Sequence, residues 1–170
     1  MNDQIKVLGS NEQAVIDRYP DWVNIDEREG YVGLLVDPAN LLTLMSCLRD
    51  DLGYDHLTSV TGVDYFPEDI MEVVYHIFRS TGGAILEIKT QVSRSNPEVP
   101  SLYDLYPGAD FQEREAWDLL GIKFAGHPNL KRILMWEGFA GHPLRKDYVF
   151  PMEYHGIPAV TEYEQTRPVH

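Results

Sequence analysis

The sequence predicts an α+β domain of two layers, with a mixed, largely antiparallel sheet that carries helices mainly on one face and an extended C-terminal arm after it. Three observations carry this expectation. Asp37-Pro38 announces a helix in which Leu41, Leu44, Met45, Leu48 and Leu52 recur at helical spacing, and Gly53 ends it. A side-chain acceptor before an N1 proline and a glycine past the last apolar position supply what the two helix ends lack. Next come three runs with strand character, His56–Val63, Met71–Arg79 and Ala84–Ser93, the last two separated by Thr81-Gly82-Gly83. Such a glycine pair favours a hairpin, so these two strands should be antiparallel. Finally, Asp110 with Glu113 three residues on reads as a capping box, and Gly121 supplies the exit of a helix over 111–120.

The remaining elements are weaker. Asn11–Tyr19 predicts a short helix stopped by Pro20, and Tyr31–Val36 a strand. In the run 84–93, Ala84, Leu86, Ile88 and Val92 share one face while Glu87, Lys89 and Gln91 share the other. One face of the sheet is therefore expected to be covered by helices and the other to be wetter. Asn96-Pro97 and Val99-Pro100 interrupt regular structure before Ser101, which can cap a helical turn. Beyond Gly121 the periodicity dissolves into turns, and Tyr148, Phe150, Pro151, Tyr154, Pro158, Tyr163 and Pro168 punctuate a tail with neither helical nor strand spacing. The expected organisation is a single domain over 1–147 and a tail over 148–170.

Composition narrows the function. A chain of 170 residues with 44% hydrophobic and 24% charged residues has the make-up of one globular domain. Its formal net charge of −13 disfavours nucleic acid, whose phosphates need a basic face. No apolar run reaches membrane-spanning length, and the start Met-Asn-Asp-Gln-Ile-Lys has no apolar secretory core. A single cysteine, Cys47, permits no internal disulfide, and its place between Leu44 and Leu48 suits packing rather than nucleophilic work. Neither a nucleophile-elbow serine, a phosphate-binding loop, a dinucleotide fingerprint nor an iron–sulfur cysteine cluster occurs.

The charge is unevenly spread. Residues 113–147 hold six of the fourteen lysines and arginines against five carboxylates, a net +1, which leaves −14 for the rest. The same stretch holds two triplets, Gly126-His127-Pro128 and Gly141-His142-Pro143. The two histidines, with Asp118, Glu137 and Asp147 nearby in sequence, could be read as the metal site of a free-standing enzyme. Their separation of fifteen matches no usual ligand spacing. In a Gly-His-Pro triplet the glycine permits positive φ and the proline holds the histidine extended, so two rigid turns are the preferred reading. Glu113, Glu115 and Asp118 could be acid–base groups, but acids in a first helical turn and an Arg114–Asp118 pair are routine for a helix. A third reading makes this arginine- and tryptophan-bearing helix a partner face.

The run Glu113-Arg114-Glu115-Ala116-Trp117-Asp118-Leu119-Leu120-Gly121-Ile122, then Phe124 to Leu134, then Gly141-His142-Pro143-Leu144-Arg145-Lys146-Asp147-Tyr148, resembles the thirty-kilodalton, or C, subunits of respiratory complex I, the proton-pumping NADH:quinone oxidoreductase. The cyanobacterial and plastid J subunits belong to the same family. Arg94-x-Asn96-Pro97-x-Val99-Pro100-Ser101 is also similar to it, and the resemblance spans roughly residues 30–150. It implies a non-catalytic structural and assembly subunit of the peripheral arm. It further implies no cofactor in this chain, with quinone and iron–sulfur clusters in partner subunits. The partners implied are the large quinone-site subunit and the iron–sulfur subunits, on the cytoplasmic side of the plasma membrane, or of a thylakoid, with the membrane reached only through them. No catalytic residue is expected. The partner interface would comprise Glu113, Arg114, Glu115, Trp117, Asp118, His127, Arg132, Trp136, Phe139, His142, Arg145, Lys146, Asp147 and Tyr148, with the tail lying on a partner. The alternatives are the equivalent subunit of a membrane-bound, energy-converting hydrogenase, or the metal-dependent enzyme built on His127 and His142.

Overall fold

The computed structural model describes residues 10–151, 153–154 and 157–158. Helix α1 (Ser10–Arg18) leads to β1 (Val23–Ile25) and β2 (Leu34–Val36), then α2 (Pro38–Leu52), β3 (His56–Tyr65), β4 (Ile70–Phe78) and β5 (Leu86–Ser93). These five strands form one sheet in the order β1-β2-β5-β4-β3. The β2–β5 pair is parallel and the other three are antiparallel, so the sheet is mixed as the sequence predicts. After it come β6 (Glu98–Pro100), α3 (Ala109–Leu120) and β7 (Lys123–Ala125), with β6 and β7 forming a separate parallel pair. Two short strands, β8 (Glu153–Tyr154) and β9 (Ile157–Pro158), pair antiparallel in the arm. Tyr163 and Pro168, expected in an extended tail, lie outside the described residues.

The signals that predict α2 act as expected. The Asp37 carboxylate accepts from Ala39 N at 2.8 Å, Gly53 takes a left-handed φ of +73°, and Tyr54 N donates to Leu48 O at 3.0 Å. Leu41, Leu44, Met45 and Leu48 are fully buried. They pack against the sheet face made by Met71, Val73, Tyr75 and Ile77 of β4 and Leu86 and Ile88 of β5. Helix α3 covers the β3 end of that same face. There Gly62 leaves room for Leu120 and Ile122, since a Cβ at this position would stand 2.6 Å and 2.9 Å from their side chains. Both main helices thus lie on one side.

Two expectations need correction. The strand expected over Tyr31–Val36 is only β2, and β1, three residues long and not expected from the sequence, pairs beside it. Gly33 turns the chain there with φ +96°, and a Cβ on it would meet Glu87 O at 2.8 Å. The second sheet face is also not wet at its centre. Glu72 and Lys89 are buried there, beneath the loop from β1 to β2, whose own Asp26 is buried against them. Lys89 Nζ donates to Asp26 at 2.9 Å, and the Arg28 guanidinium bonds both Asp26 and Glu72 at 2.6 Å. Gln91 completes the network on Glu72 at 2.6 Å. Buried charges persist only when paired and hydrogen-bonded. Here the Arg28 bonds come first in holding the Asp26 carboxylate well below its ordinary range.

Candidate functional site

The segment from α3 to Tyr148 is built around the helix. Its start differs from the expected capping box. Gly108 is the N-cap and makes no side-chain cap bond, and the helix begins at Ala109, so Asp110 lies in the first turn. Glu113 then faces inward, fully buried. It accepts from Ser101 Oγ at 2.5 Å and from Leu102 N at 2.7 Å, fastening the strand end of β6 to the helix. Ser101 does cap its turn, accepting from Tyr103 N at 3.1 Å. Burial pushes the Glu113 carboxyl up to about 7, against the pull of those two hydrogen bonds.

His127, from the first Gly-His-Pro triplet, packs its buried ring against Tyr103 (5.8 Å between centroids). Its Nδ1 accepts from Asn129 N at 3.0 Å. Its Nε2 stands 3.4 Å from Asp110 and 4.0 Å from Glu113. Arg114 also departs from expectation. It reaches back to Asp110 at 3.8 Å, rather than forward to Asp118, and donates from Nε to Lys131 O at 3.1 Å.

Asp118 has a different partner. Its Oδ2 accepts from three successive backbone amides, Ile133 N, Leu134 N and Met135 N, at 3.0, 2.8 and 3.0 Å. Its Oδ1 accepts from Arg132 Nη1 at 2.7 Å. Burial alone would raise this carboxyl, but the three amides and the guanidinium outweigh it and hold it below its ordinary value. Arg132 continues outward, with Nη2 donating to Phe139 O at 3.2 Å and Gly141 O at 3.1 Å, while its guanidinium lies 5.8 Å from the Trp117 ring. One carboxylate and one guanidinium thereby fold the loop 131–141.

The second triplet closes the other end of α3. The last carbonyls of a helix have no partner within it. Here Asp118 O accepts from His142 Nδ1 at 3.0 Å, Leu119 O from Leu144 N at 3.0 Å, and Leu120 O from Arg145 Nε at 2.7 Å. Gly121 permits this approach, because a Cβ there would meet the His142 ring at 2.6 Å. Burial lowers the His142 pKa, in keeping with a neutral imidazole whose Nδ1–H donates to a carbonyl. The chain is then tied to the sheet. Lys146 N donates to Asp64 Oδ2 at 2.8 Å, and Arg94 bonds both Asp64 (2.6 Å) and Asp147 (2.6 Å).

Of the residues expected at a partner interface, the structure turns three inward. Glu113 and Asp118 are fully buried and the His127 side chain is covered as well, so these groups shape the segment from inside. Arg114, Trp117, Arg132, His142 and Arg145 are half-buried and serve mainly as its internal framework. Outward stand Glu115, Trp136, Lys146 and Asp147, with Phe139 and Tyr148 half-exposed beside them. Trp136 meets Phe139 edge-on at 4.7 Å, Phe139 stacks on Tyr148 at 6.0 Å, and Tyr148 meets Phe150 edge-on at 5.0 Å. Trp136 is 49% and Phe150 61% exposed, with Leu134, Leu144 and Val149 exposed nearby. Lys123, Lys131 and Lys146 are exposed and make no ion pair among the described residues. Asp64, Arg94 and Ser101 are framework residues whose partners sequence reasoning did not foresee, because those partners lie 12 to 82 positions away.

The metal alternative fails on placement. His127 sits by Asp110 at the start of α3 and His142 by Asp118 O and Gly121 at its end. At 1.5 Å rise per residue those ends are roughly 15 Å apart. Among the described residues no three His, Cys, Asp or Glu side chains converge as metal ligands. None of their helices is long and apolar enough to cross a membrane.

Comparison with known proteins agrees with the sequence resemblance. The chain is 48% identical over 132 residues to the C subunit of the NADH-quinone oxidoreductase of Moorella thermoacetica, covering 76% of this chain and 87% of that one. It is 40% identical over 146 residues to the C subunit of the same-named oxidoreductase of Citrifermentans bemidjiense, covering 83% and 91%. Among solved structures, a trypsin-resistant fragment (1–134) of Nqo5 superposes with a TM-score of 0.61 at 25% identity, covering 71% of this chain and 98% of the fragment. A chain of the archaeal membrane-bound sulfane sulfur reductase shares the fold, with a TM-score of 0.69 at 21% identity over 81% of this chain and 82% of that one. The model of the respiratory-chain NADH dehydrogenase 30 Kd subunit family matches residues 34–154, and the chain belongs to that family.

Proposed function

We propose that this chain is a non-catalytic docking and assembly subunit of the peripheral arm of an NADH:quinone oxidoreductase. In this reading it packs against the large quinone-site subunit and neighbouring iron–sulfur subunits, and is held at the cytoplasmic side of the membrane through them. Quinone and clusters belong to those partners, and its contribution to turnover is to keep their geometry. The observation that carries the reading is the aromatic row Trp136–Phe139–Tyr148–Phe150, held half in water by a segment whose turns are fixed from inside by Asp118 and Arg132. Aromatic side chains on a fixed backbone beside exposed lysines are what a protein interface uses as anchors. The arm after Tyr148 would continue along the same partner.

Affinity capture of the tagged chain from gently solubilised membranes, with mass spectrometry of its companions, tests this. Near-equal recovery of a quinone-site subunit and iron–sulfur subunits is expected. Recovery of the chain alone would overturn the reading. The shared fold of the sulfane sulfur reductase chain keeps one second reading open, the equivalent subunit of a related energy-converting membrane complex. The identity of the large companion separates the two.

A further inference from the structure

We infer that the docking face extends beyond the segment 113–148 onto the tip of the β3–β4 hairpin, where Phe66 seats against the same partner; this rests on the docking reading above. Phe66 opens a 3₁₀ turn, Phe66–Glu68, at that tip and is 48% exposed. A single exposed aromatic is commonplace. This one is placed by the residue that also fixes the docking segment. The Arg94 guanidinium lies 4.8 Å from the Phe66 ring centroid, and its Nη2 donates to Asp147 at 2.6 Å. The same guanidinium is anchored on Asp64, whose Oδ2 also receives Lys146 N at 2.8 Å. Phe66, Lys146 and Asp147 are therefore gathered around one Asp64–Arg94 pair, although they come from positions some 80 residues apart.

The tip is also stiff. Pro67 fixes its φ, Asp69 takes a left-handed φ of +56°, and Arg94 N donates to Asp69 O at 3.1 Å. An exposed ring on such a turn loses little freedom on binding. The chemistry of the partner surface follows from what remains unmatched. It presents an apolar side chain to Phe66 and carboxylates to Lys146 and Lys131, which have no ion-pair partner among the described residues. A net +1 over 113–147 in a chain of −13 gives the same sign to the complementarity.

Photo-crosslinking in the assembled complex tests this. The full-length chain would carry p-benzoylphenylalanine in place of Phe66, of Trp136, or of Ile85, which is 57% exposed at the opposite end of the β4–β5 pair. Adducts from positions 66 and 136 to the same polypeptide, with none from 85, are expected. Adducts from 136 but none from 66, or to a different polypeptide from 66, would overturn this inference and leave the docking reading intact. Equal adducts from 85 would overturn it too, and silence at both 66 and 136 would remove the docking reading with it. Phe66→Ala should release the chain from the solubilised complex about tenfold faster. An unchanged release rate would count against it.

Discussion

Arg132 donates to Asp118 at 2.7 Å, and the two side chains together make six further hydrogen bonds to the loop and helix end they join. Their effect is to fix where Trp136 and Phe139 stand, from inside the domain. A surface made of turns is thereby as well determined as a helix would be, because its backbone groups are satisfied by a buried carboxylate and a guanidinium instead of a ladder.

Asp118→Asn should therefore be costly. It removes the charge that three amides and Arg132 share, and its amide nitrogen turns a donor toward donors. Loss of about 3 kcal/mol in urea unfolding is expected, with new protease cleavage confined to 131–148. Cleavage elsewhere, or a loss below about 0.5 kcal/mol, would mean that the loop is held by something other than this carboxylate.

Glu113 predicts a pH dependence with a definite sign. Its folded-state pKa is raised to about 7, above the ordinary value of 4.5, by burial. Its contribution is thus fully present below the unfolded value and is lost as pH rises through 7. A shift of this size corresponds to roughly 3 kcal/mol at pH 8. Glu113→Gln, which keeps the contacts to Ser101 and Leu102 without ionising, should flatten the stability profile between pH 5 and 8. Parallel profiles for the two proteins would contradict the assignment.

Two glycines, one at the end of α3 and one opening the first triplet, separate two causes. Gly121 and Gly126 both have positive φ, +79° and +86°, but a Cβ on Gly121 would collide with His142 while one on Gly126 meets nothing within 4 Å. Gly126→Ala should cost about 1 kcal/mol from the backbone alone. Gly121→Ala should cost about 2 kcal/mol or more, since it also displaces the imidazole from Asp118 O. Equal costs by thermal unfolding would show that the His142 cap carries no weight.

Arg94→Ala leaves Asp64, itself buried, without its bidentate partner. A loss of about 3–5 kcal/mol is expected, and Arg94→Lys should recover only part of it because a point charge cannot reproduce the fork. Urea unfolding of both variants checks this. Full recovery by lysine would show that charge alone, not geometry, ties Asp147 to the sheet.

Legibility in the sequence follows the range over which each signal acts. The helix from Pro38 to Leu52 could be read because its cap, its N1 proline and its terminal glycine all act within a few residues of one another. The same locality gave the β4–β5 pairing, whose register runs through the predicted strands. The Gly-His-Pro triplets announced turns, and Gly126 and Gly141 do take the positive φ that such turns need. Lys89 could not be read: its alternation placed it correctly on the second face, but only the fold brings Asp26, 63 residues away, to cover it. Glu113 misled for the related reason that its spacing from Asp110 suits a cap, whereas Ser101 and Leu102 offer donors that the local pattern does not contain. The long stretch resembling the thirty-kilodalton family was legible as a motif, while the division of its charged residues into inward framework and exposed surface was not.

The most direct test of the docking account compares assembly with turnover. Native gels of membranes carrying Arg132→Ala or Trp136→Ala would measure the assembled complex, and quinone reduction would be normalised to that amount. The account predicts a several-fold fall in assembled complex with unchanged turnover per assembled complex. A normal amount of complex with quinone reduction abolished would contradict it, and would place these residues in the chemistry after all.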